Sequence, residues 1–272
     1  ACPKKVSLGL RVNPEYSEIE TDLYNPALPG SRLGILAEDM PENLPEGIEG
    51  LHFHVLCEND SHALEHCLAA FEAKFSHYIK QCKWVNFGGG HHITRADYDV
   101  LHLIQLLKDF KSRYPNLQDV ILEPGEAVGW QTGVLTSTVE DIVVNKGIKI
   151  AMLNISFSCH LPDCLEMPYK PTILGASEPD ENSKFVYRLG GCSCLAGDFI
   201  GMGDFAFPEP LEIGDTIVFD DMIHYTMVKT TFFNGVHHPA IGIIKKDGEV
   251  VKVRDPNDAT ALHIGMVHQH FK

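Results

Sequence analysis

No stretch of this chain approaches the roughly 20 consecutive apolar residues that a membrane-spanning helix requires. Internal repeats and low-complexity segments are also missing. These absences, with an ordinary composition, exclude a disordered tail and a fibrous array. Positive charge is scarce: 22 Lys and Arg stand against 37 Asp and Glu, for a formal charge of −15. Such a surface argues against a nucleic-acid backbone as partner and mildly favours a cationic small molecule. Cysteine is thin for the length, eight residues in 272 (Cys2, Cys57, Cys67, Cys82, Cys159, Cys164, Cys192 and Cys194), which is too sparse for a disulfide scaffold. Reduced thiols in the cytoplasm, one or two of them functional, are the expectation. The opening Ala1-Cys2-Pro3-Lys4-Lys5 is neither a signal peptide nor an initiator start, and reads as internal or trimmed.

What is present is two kinds of pattern. Residues 6–12 (VSLGLRV) and 48–56 (IEGLHFHVL) alternate as strands, the second placing Leu51, Phe53 and Val55 opposite His52 and His54. Between residues 60 and 81, Leu64, Leu68, Phe71, Phe75 and Ile79 recur at helical spacing behind a capping Asp60. A strand at 84–87 runs into three glycines. A second helix at 97–114 carries Leu101, Ile104, Leu107 and Phe110, and a strand at 119–122 follows. Strands alternating with helices predict βαβ units and a parallel sheet or barrel. Past residue 130 the pattern turns β-rich, with strands expected at 134–144, 149–155, 185–189, 216–220, 230–233, 240–244 and 249–253. The last two form a hairpin around Lys246-Asp247-Gly248. The boundary is therefore set between 1–130 and 131–272. A complete eight-stranded barrel takes on the order of 250 residues, so the first part is either a small open sheet or the second half of a barrel.

Several short stretches could carry chemistry. Gly88-Gly89-Gly90-His91 closes a strand, and successive glycines let backbone N–H groups approach an anion. The same stretch also serves as a plain tight turn. His52-x-His54-x-x-x-Glu58 offers metal ligands and resembles the first half of a cupin motif, making a cupin-like metal enzyme on His52, His54 and Glu58 a competing expectation. A helix nonetheless begins where a cupin would continue in strands. Glu123 and Gly125 lie in Leu122-Glu-Pro-Gly-Glu126 at a strand's C-terminal end, where α/β proteins place their sites. Residues 190–198 (GGCSCLAGD) hold the thiol of Cys194 and the acid of Asp198. A thiol near pKa 8.5 is a sensible proton donor. Tyr225 follows a strand and suits a phosphate oxygen.

Taken in order, GLHFHVLCE, WVNFGGGHHIT, LEPGEAV, CHLPDCLEMPYKP, GGCSCLAGD and HYTMVKTTFFNG resemble the carboxynorspermidine/carboxyspermidine decarboxylases. These belong to the alanine-racemase-like, fold type III class of pyridoxal-phosphate decarboxylases, and the likeness runs over residues 6–244. The resemblance implies the second half of a (β/α)8 barrel that binds pyridoxal 5′-phosphate, then an antiparallel β-domain, in a homodimer with shared active sites. His54 would stack on the pyridine ring. Gly88, Gly89, Gly90 and Gly125 would cradle the phosphate, and Tyr225 would hydrogen-bond it. Glu123 would keep the pyridine nitrogen protonated. Cys194 would protonate the carbon that loses CO₂, and Asp198 would hold a substrate amine. Asp163 and Glu166 would be further contacts to a cationic polyamine. No metal is expected in that reading.

Departures accompany the likeness. The family's Schiff-base lysine would precede residue 6 and has no match here, and Lys229 belongs to the Tyr225 motif. Asn154 stands where Asp is expected and Cys192 where Pro is expected, and the tail after Arg254 matches nothing. The absent lysine motivates a competing expectation of a non-catalytic relative that regulates a full-length enzyme.

Overall fold

The computed structural model describes residues 6–244 and 250–261. The chain divides into two compact units, Ala1–Gly133 and Val134–Lys272. In the first, β1 (Leu8–Arg11), β2 (Ile48–His52), β3 (Trp84–Asn86) and β4 (Asp119–Ile121) form one sheet in sequential order, every neighbouring pair parallel. The helices α1 (Ser61–Ile79), α2 (Val100–Arg113) and α3 (Gly125–Gly129) each follow one of the last three strands. Parallel strands require such crossovers, and all the strand C-termini therefore lie along one edge.

The helix α1 forms where the 3.6-residue period placed it. The Asp60 carboxylate accepts from the N–H groups of His62 and Ala63, both at 3.0 Å, and caps the first turn. Leu64, Leu68, Phe71, Phe75 and Ile79 are all at most 1% exposed, each burial contributing about 1.5–3 kcal/mol at the upper end. The expected alternation holds from Leu51 through the residues just past β2, with Leu51 and Phe53 fully buried and His52 and His54 half-buried. The helix α2 is capped by Asp99 through His102 N–H at 2.8 Å and carries Lys111 and Arg113 in its last turn, where the helix dipole favours cations. Its buried face differs from the expected one: Phe110 is buried together with Leu103, while Leu101 is 79% exposed and Ile104 41%. The helix has apolar residues on adjoining faces, and packing against the sheet selects the one centred on Leu103 and Phe110.

In the second unit, β5 (Leu135–Asn145), β6 (Ile148–Leu153), β7 (Phe185–Gly190), β8 (Phe205–Phe207) and β9 (Thr216–Phe219) form a sheet in the order β8-β7-β6-β5-β9. Lys146 and Gly147, both at positive φ, turn β5 into β6 as a two-residue hairpin connection demands. The sheet is not wholly antiparallel, because β6 and β7 pair in parallel. Residues 154–184 between them, holding α4 (Phe157–His160) and α5 (Asp163–Glu166), are long enough for that crossover. β8 was not expected. The strand expected at 230–233 is instead a loop ending in a 3-10 turn, Phe233–Gly235. Asn234 at φ 56° and Gly235 at φ 76° bend the backbone out of an extended path there. A four-residue helix, α6 (Tyr225–Val228), precedes that loop. β10 (Gly242–Ile244) pairs antiparallel with β11 (Val250–Lys252), the connecting Lys246-Asp247-Gly248 lying outside the described residues, and α7 (Pro256–Ala261) comes last.

A second core, including Phe157, Phe219, Val139 and Leu189, holds this unit together. No helix among the described residues is long and apolar enough to cross a membrane.

Candidate functional site

Three of the sequence-designated stretches meet at the C-terminal edge of the parallel sheet. The register aligns His52 with Asn86 and Asn86 with Ile121, so the residues just beyond each strand end become neighbours. His54 Nδ1 accepts the Gly89 N–H at 3.1 Å. The Gly88 N–H is held by Asn86 Oδ1 at 2.8 Å, and Asn86 Nδ2 donates to Glu123 Oε1 at 2.7 Å. Glu123 N–H donates to the Gly88 carbonyl at 2.8 Å. One asparagine thus fixes both the glycine loop and the acid.

The glycines are required by space as well as by backbone angle. At Gly88 (φ +71°) a Cβ would lie 2.6 Å from the Phe53 carbonyl oxygen, and at Gly90 (φ +82°) only 2.1 Å from that of Leu56. At Gly89 it would meet the Glu123 carbonyl oxygen at 2.7 Å. These are rigid backbone atoms, so the stretch is a close-approach loop rather than merely a tight turn. Gly125 differs, since a Cβ there would meet nothing within 4 Å.

Charge at this edge follows from burial. Desolvation lowers the pKa of His54, Arg11 adds to the lowering, and Glu123 opposes it. A neutral His54 that accepts from Gly89 carries its proton on Nε2. His52 is likewise lowered, mainly by burial and against the pull of Glu123. His52 Nε2 stands 3.8 Å from Glu123 Oε2, beyond hydrogen-bond reach. Arg11 reaches the carbonyl of His54 at 3.3 Å, and burial lowers its pKa too. Next to the loop, His91 is 1% exposed with neither ring nitrogen in a hydrogen bond among the described residues. Burial pushes its pKa down to about 4.

Glu123 has a side chain 53% exposed, and among the described residues its Oε2 has only the 3.8 Å approach of His52 Nε2 and no hydrogen bond. The edge therefore offers a flat neutral imidazole, a carboxylate oxygen able to hold a proton on a ring nitrogen, and a glycine loop drawn tight against both. A phosphorylated heteroaromatic ring fits that set. The cupin expectation is overturned: β2 leads into a helix in a parallel sheet. The ligating atoms of His52 and His54 gather with Glu123, all within 4.8 Å of one another, whereas Glu58 lies outside the group.

In the second unit, Cys194 is exposed and its Sγ accepts from Asn234 Nδ2 at 2.8 Å. Asp198 is only 4% exposed. Its Oδ1 accepts from Ser158 N–H at 2.9 Å and Ser156 Oγ at 3.2 Å, and its Oδ2 from Ser193 N–H at 3.0 Å. A Cβ on Gly191 would strike Asp198 Oδ2 at 2.3 Å, so Gly191 makes room for the carboxylate. These bonds make Asp198 a clamp on the Cys194 loop, with both oxygens engaged by residues of its own chain. Asp163 and Glu166 lie one turn apart on α5 and both bind Lys229 Nζ, Glu166 at 3.0 Å. The pair does receive an ammonium, but one from its own chain. Tyr225 opens α6 with its side chain largely exposed.

Four residues that sequence reasoning passed over thus matter: Asn86, Arg11, His91 and Asn234. Asn86 and His91 lie within the WVNFGGGHHIT stretch and Asn234 within HYTMVKTTFFNG, but a polar residue beside a motif acquires its role only from what folds against it.

A family model described as pyridoxal-dependent decarboxylase, C-terminal sheet domain, matches residues 23–223. A Synechocystis protein named carboxyaminopropylagmatine decarboxylase is 54% identical over 244 residues, covering 90% of this chain and 62% of the relative. A Campylobacter jejuni carboxynorspermidine/carboxyspermidine decarboxylase is 48% identical over 263 residues, covering 93% and 67%. One from Herminiimonas arsenicoxydans is 36% identical, covering 91% and 65%. The chain therefore spans roughly two thirds of the length of the curated relatives it matches. The crystal structure of the Campylobacter jejuni carboxynorspermidine decarboxylase complexed with norspermidine superposes with a TM-score of 0.80 at 45% identity, over 93% of this chain and 68% of that one. A diaminopimelate decarboxylase structure at 18% identity and TM-score 0.71 shares the fold.

Proposed function

Since the chain belongs to the pyridoxal-dependent decarboxylases, we propose that it supplies most of the active centre of an enzyme releasing CO₂ from carboxynorspermidine or carboxyspermidine. The products are norspermidine and spermidine. The observation that carries the reading is the strand-end constellation, in which Asn86 locks the acid Glu123 to the same loop whose Gly89 N–H orients His54.

Pyridoxal 5′-phosphate, when bound, supplies an electron sink for the pair left by departing CO₂. Glu123 Oε2 holds a proton at the pyridine nitrogen and so keeps that sink deep. His54, fixed through Nδ1, presents its ring for stacking. Residues 88–90 and Gly125 would border the phosphate, the N–H groups of Gly88, Gly89 and Gly125 being donated already to Asn86, His54 and Glu123, and Tyr225 would supply a phenolic hydroxyl to the same group. Cys194 delivers the proton to the carbon that has lost CO₂, its Sγ oriented by Asn234. Asp198 acts at one remove by holding the Cys194 loop. Asp163 and Glu166 take a cationic end of the polyamine in exchange for Lys229. A cytoplasmic homodimer with shared active sites completes the reading.

Carbon dioxide release by the intact protein from carboxynorspermidine, carboxyspermidine and carboxyaminopropylagmatine tests it. Turnover of either of the first two is expected. Turnover of the third alone would replace the substrate while keeping the reaction. Bound cofactor with no CO₂ from any of them would end the decarboxylase assignment.

A further inference from the structure

Two loops of the second unit meet at Cys194, and both are tied to the short helix α4. On one side α4 receives the Cys194 loop. The Asp198 carboxylate accepts from the Ser156 hydroxyl and the Ser158 N–H, and the Cys192 N–H donates to the Ile155 carbonyl at 2.8 Å. On the other side α4 holds residues 231–237. The Thr231 N–H donates to the Cys159 carbonyl at 2.9 Å, and the Cys159 thiol donates to the Phe233 carbonyl at 3.5 Å. His160 Nε2 stands 3.1 Å from the His237 carbonyl. Asn234, whose amide meets Cys194 Sγ, lies between the last two anchors.

The second loop depends on these anchors. Thr231, Phe233, Asn234 and His237 are all exposed, whereas His160 is 2% exposed. A segment with little apolar burial of its own is placed by its hydrogen bonds to a buried body. The stack of Phe232 on His238, with centroids 3.9 Å apart, closes the loop on itself. A thiol is a weak donor, and the Thr231 bond precedes the turn at Phe233–Gly235. The bond to the His237 carbonyl is the one that fixes the chain beyond that turn.

The His160 ring is held at its other nitrogen as well. Nδ1 accepts the Ser156 N–H at 3.2 Å, so the neutral ring carries its proton on Nε2 and donates it to the His237 carbonyl. One tautomer satisfies both contacts and leaves neither nitrogen for proton transfer. Ser156, bonded to the ring through its N–H, is the same residue whose hydroxyl holds Asp198. The imidazole thus bridges the Cys194 loop and the Asn234 loop.

We propose that His160 is a positioning residue for the Cys194 thiol, its ring setting the relative placement of the two loops that meet at that sulfur. The inference rests on the reading of Cys194 as the proton donor. Proton delivery is sensitive to donor placement at the scale of an ångström, so freeing the Asn234 loop at one end costs rate rather than binding.

Two substitutions separate the two ring nitrogens. His160→Gln sets an amide nitrogen near the former Nε2 and keeps a donor for His237. His160→Asn sets an amide oxygen near the former Nδ1, keeps an acceptor for Ser156 and is too short to reach His237. In the intact, cofactor-loaded protein, His160→Asn should lower kcat for CO₂ release on the order of 10- to 100-fold with KM unchanged, and His160→Gln should recover most of that loss. Iodoacetamide alkylation, resolved by fragment mass spectrometry, reads the thiols without turnover: His160→Asn should shift the rate at Cys194 several-fold and leave Cys192 as it was. A parent that releases no CO₂ would sink the decarboxylase reading, and the alkylation rates would still decide this one. An unchanged Cys194 rate in His160→Asn, equal shifts at both thiols, a raised KM with kcat intact, or no recovery in His160→Gln would overturn the proposal. Should either variant fail to fold, ¹⁵N NMR of the parent histidines decides, since a His160 ring with its proton on Nδ1 breaks the bridge and one with its proton on Nε2 upholds it.

Discussion

The two loops proposed to carry chemistry in this protein are built by opposite means. At the strand ends of the α/β unit, Glu123 is half exposed with one oxygen outside any hydrogen bond among the described residues, and the loop beside it is shaped by bare backbone at residues 88–90. In the β unit, Asp198 is nearly inaccessible and its two oxygens accept three donors. An acid with spare acceptor capacity facing solvent is available to a ligand. A saturated buried acid is spent on shape, because removing any partner leaves an unpaired polar group in a poor solvent.

The sharpest way to break this contrast is Gly90→Ala. A methyl 2.1 Å from the Leu56 carbonyl oxygen, on a backbone at φ +82°, should cost about 4 kcal/mol in urea unfolding and abolish the absorbance of bound cofactor. Gly125→Ala, with nothing within 4 Å, should stay within about 0.5 kcal/mol and affect only cofactor affinity. Equal losses from the two would show that close approach does not shape the loop. The second experiment sets acid against acid. Asp198→Ala should lose about 3 kcal/mol of stability, while Glu123→Gln should be nearly neutral in stability and lose cofactor retention. If Asp198→Ala instead raised KM with an unchanged unfolding curve, the substrate-amine role would hold instead.

An acid titration of stability probes the strand-end unit further. The folded pKa of His91 is depressed from 6.5 to about 4, so the unfolded chain binds the proton first. The stability contributed by the neutral ring is present above pH 6.5 and is lost as pH falls toward 4, by about 3 kcal/mol. His91→Gln should flatten that limb, and the lowered pKa values of His52 and His54 should keep part of it. An unaltered slope in His91→Gln would mean the ring is solvated. Smaller still, Asn86→Ala should cost about 1–2 kcal/mol and loosen the cofactor. Asn234→Ala should change the alkylation rate of Cys194 a few-fold with no change in the unfolding midpoint, and an unchanged rate would remove Asn234 from the site.

Legibility in the sequence varied with how local the cause was. The strands of the α/β unit, the buried face of α1 and its Asp60 cap were all readable, because period and capping chemistry act over a few residues. The face of α2 was not, since Leu101 and Leu103 are equally apolar and only the neighbouring sheet distinguishes them. The parallel pairing of β6 with β7 and the bent path at 230–235 were likewise set by long-range packing. Among site residues, Glu123 and His54 stood out as side chains at strand ends. Asn86 did not, because an asparagine at a strand end becomes an organiser only when an acid 37 residues later lies 2.7 Å away.

By itself, then, the amino-acid sequence determined the order of strands and helices, the need for glycine after β3, and the family to which the motifs belong. Those depend on side-chain period, on positive φ and on short spacings that any reader of the chain can inspect. Tertiary structure alone decided which carboxylates stay open. Asp198 is filled by serines as many as 42 positions away, the α5 acids by Lys229 as many as 66 away, and among the described residues Glu123 Oε2 is left without a hydrogen bond. Hydrogen-bond saturation is a property of what folds around a group, and no local pattern encodes it.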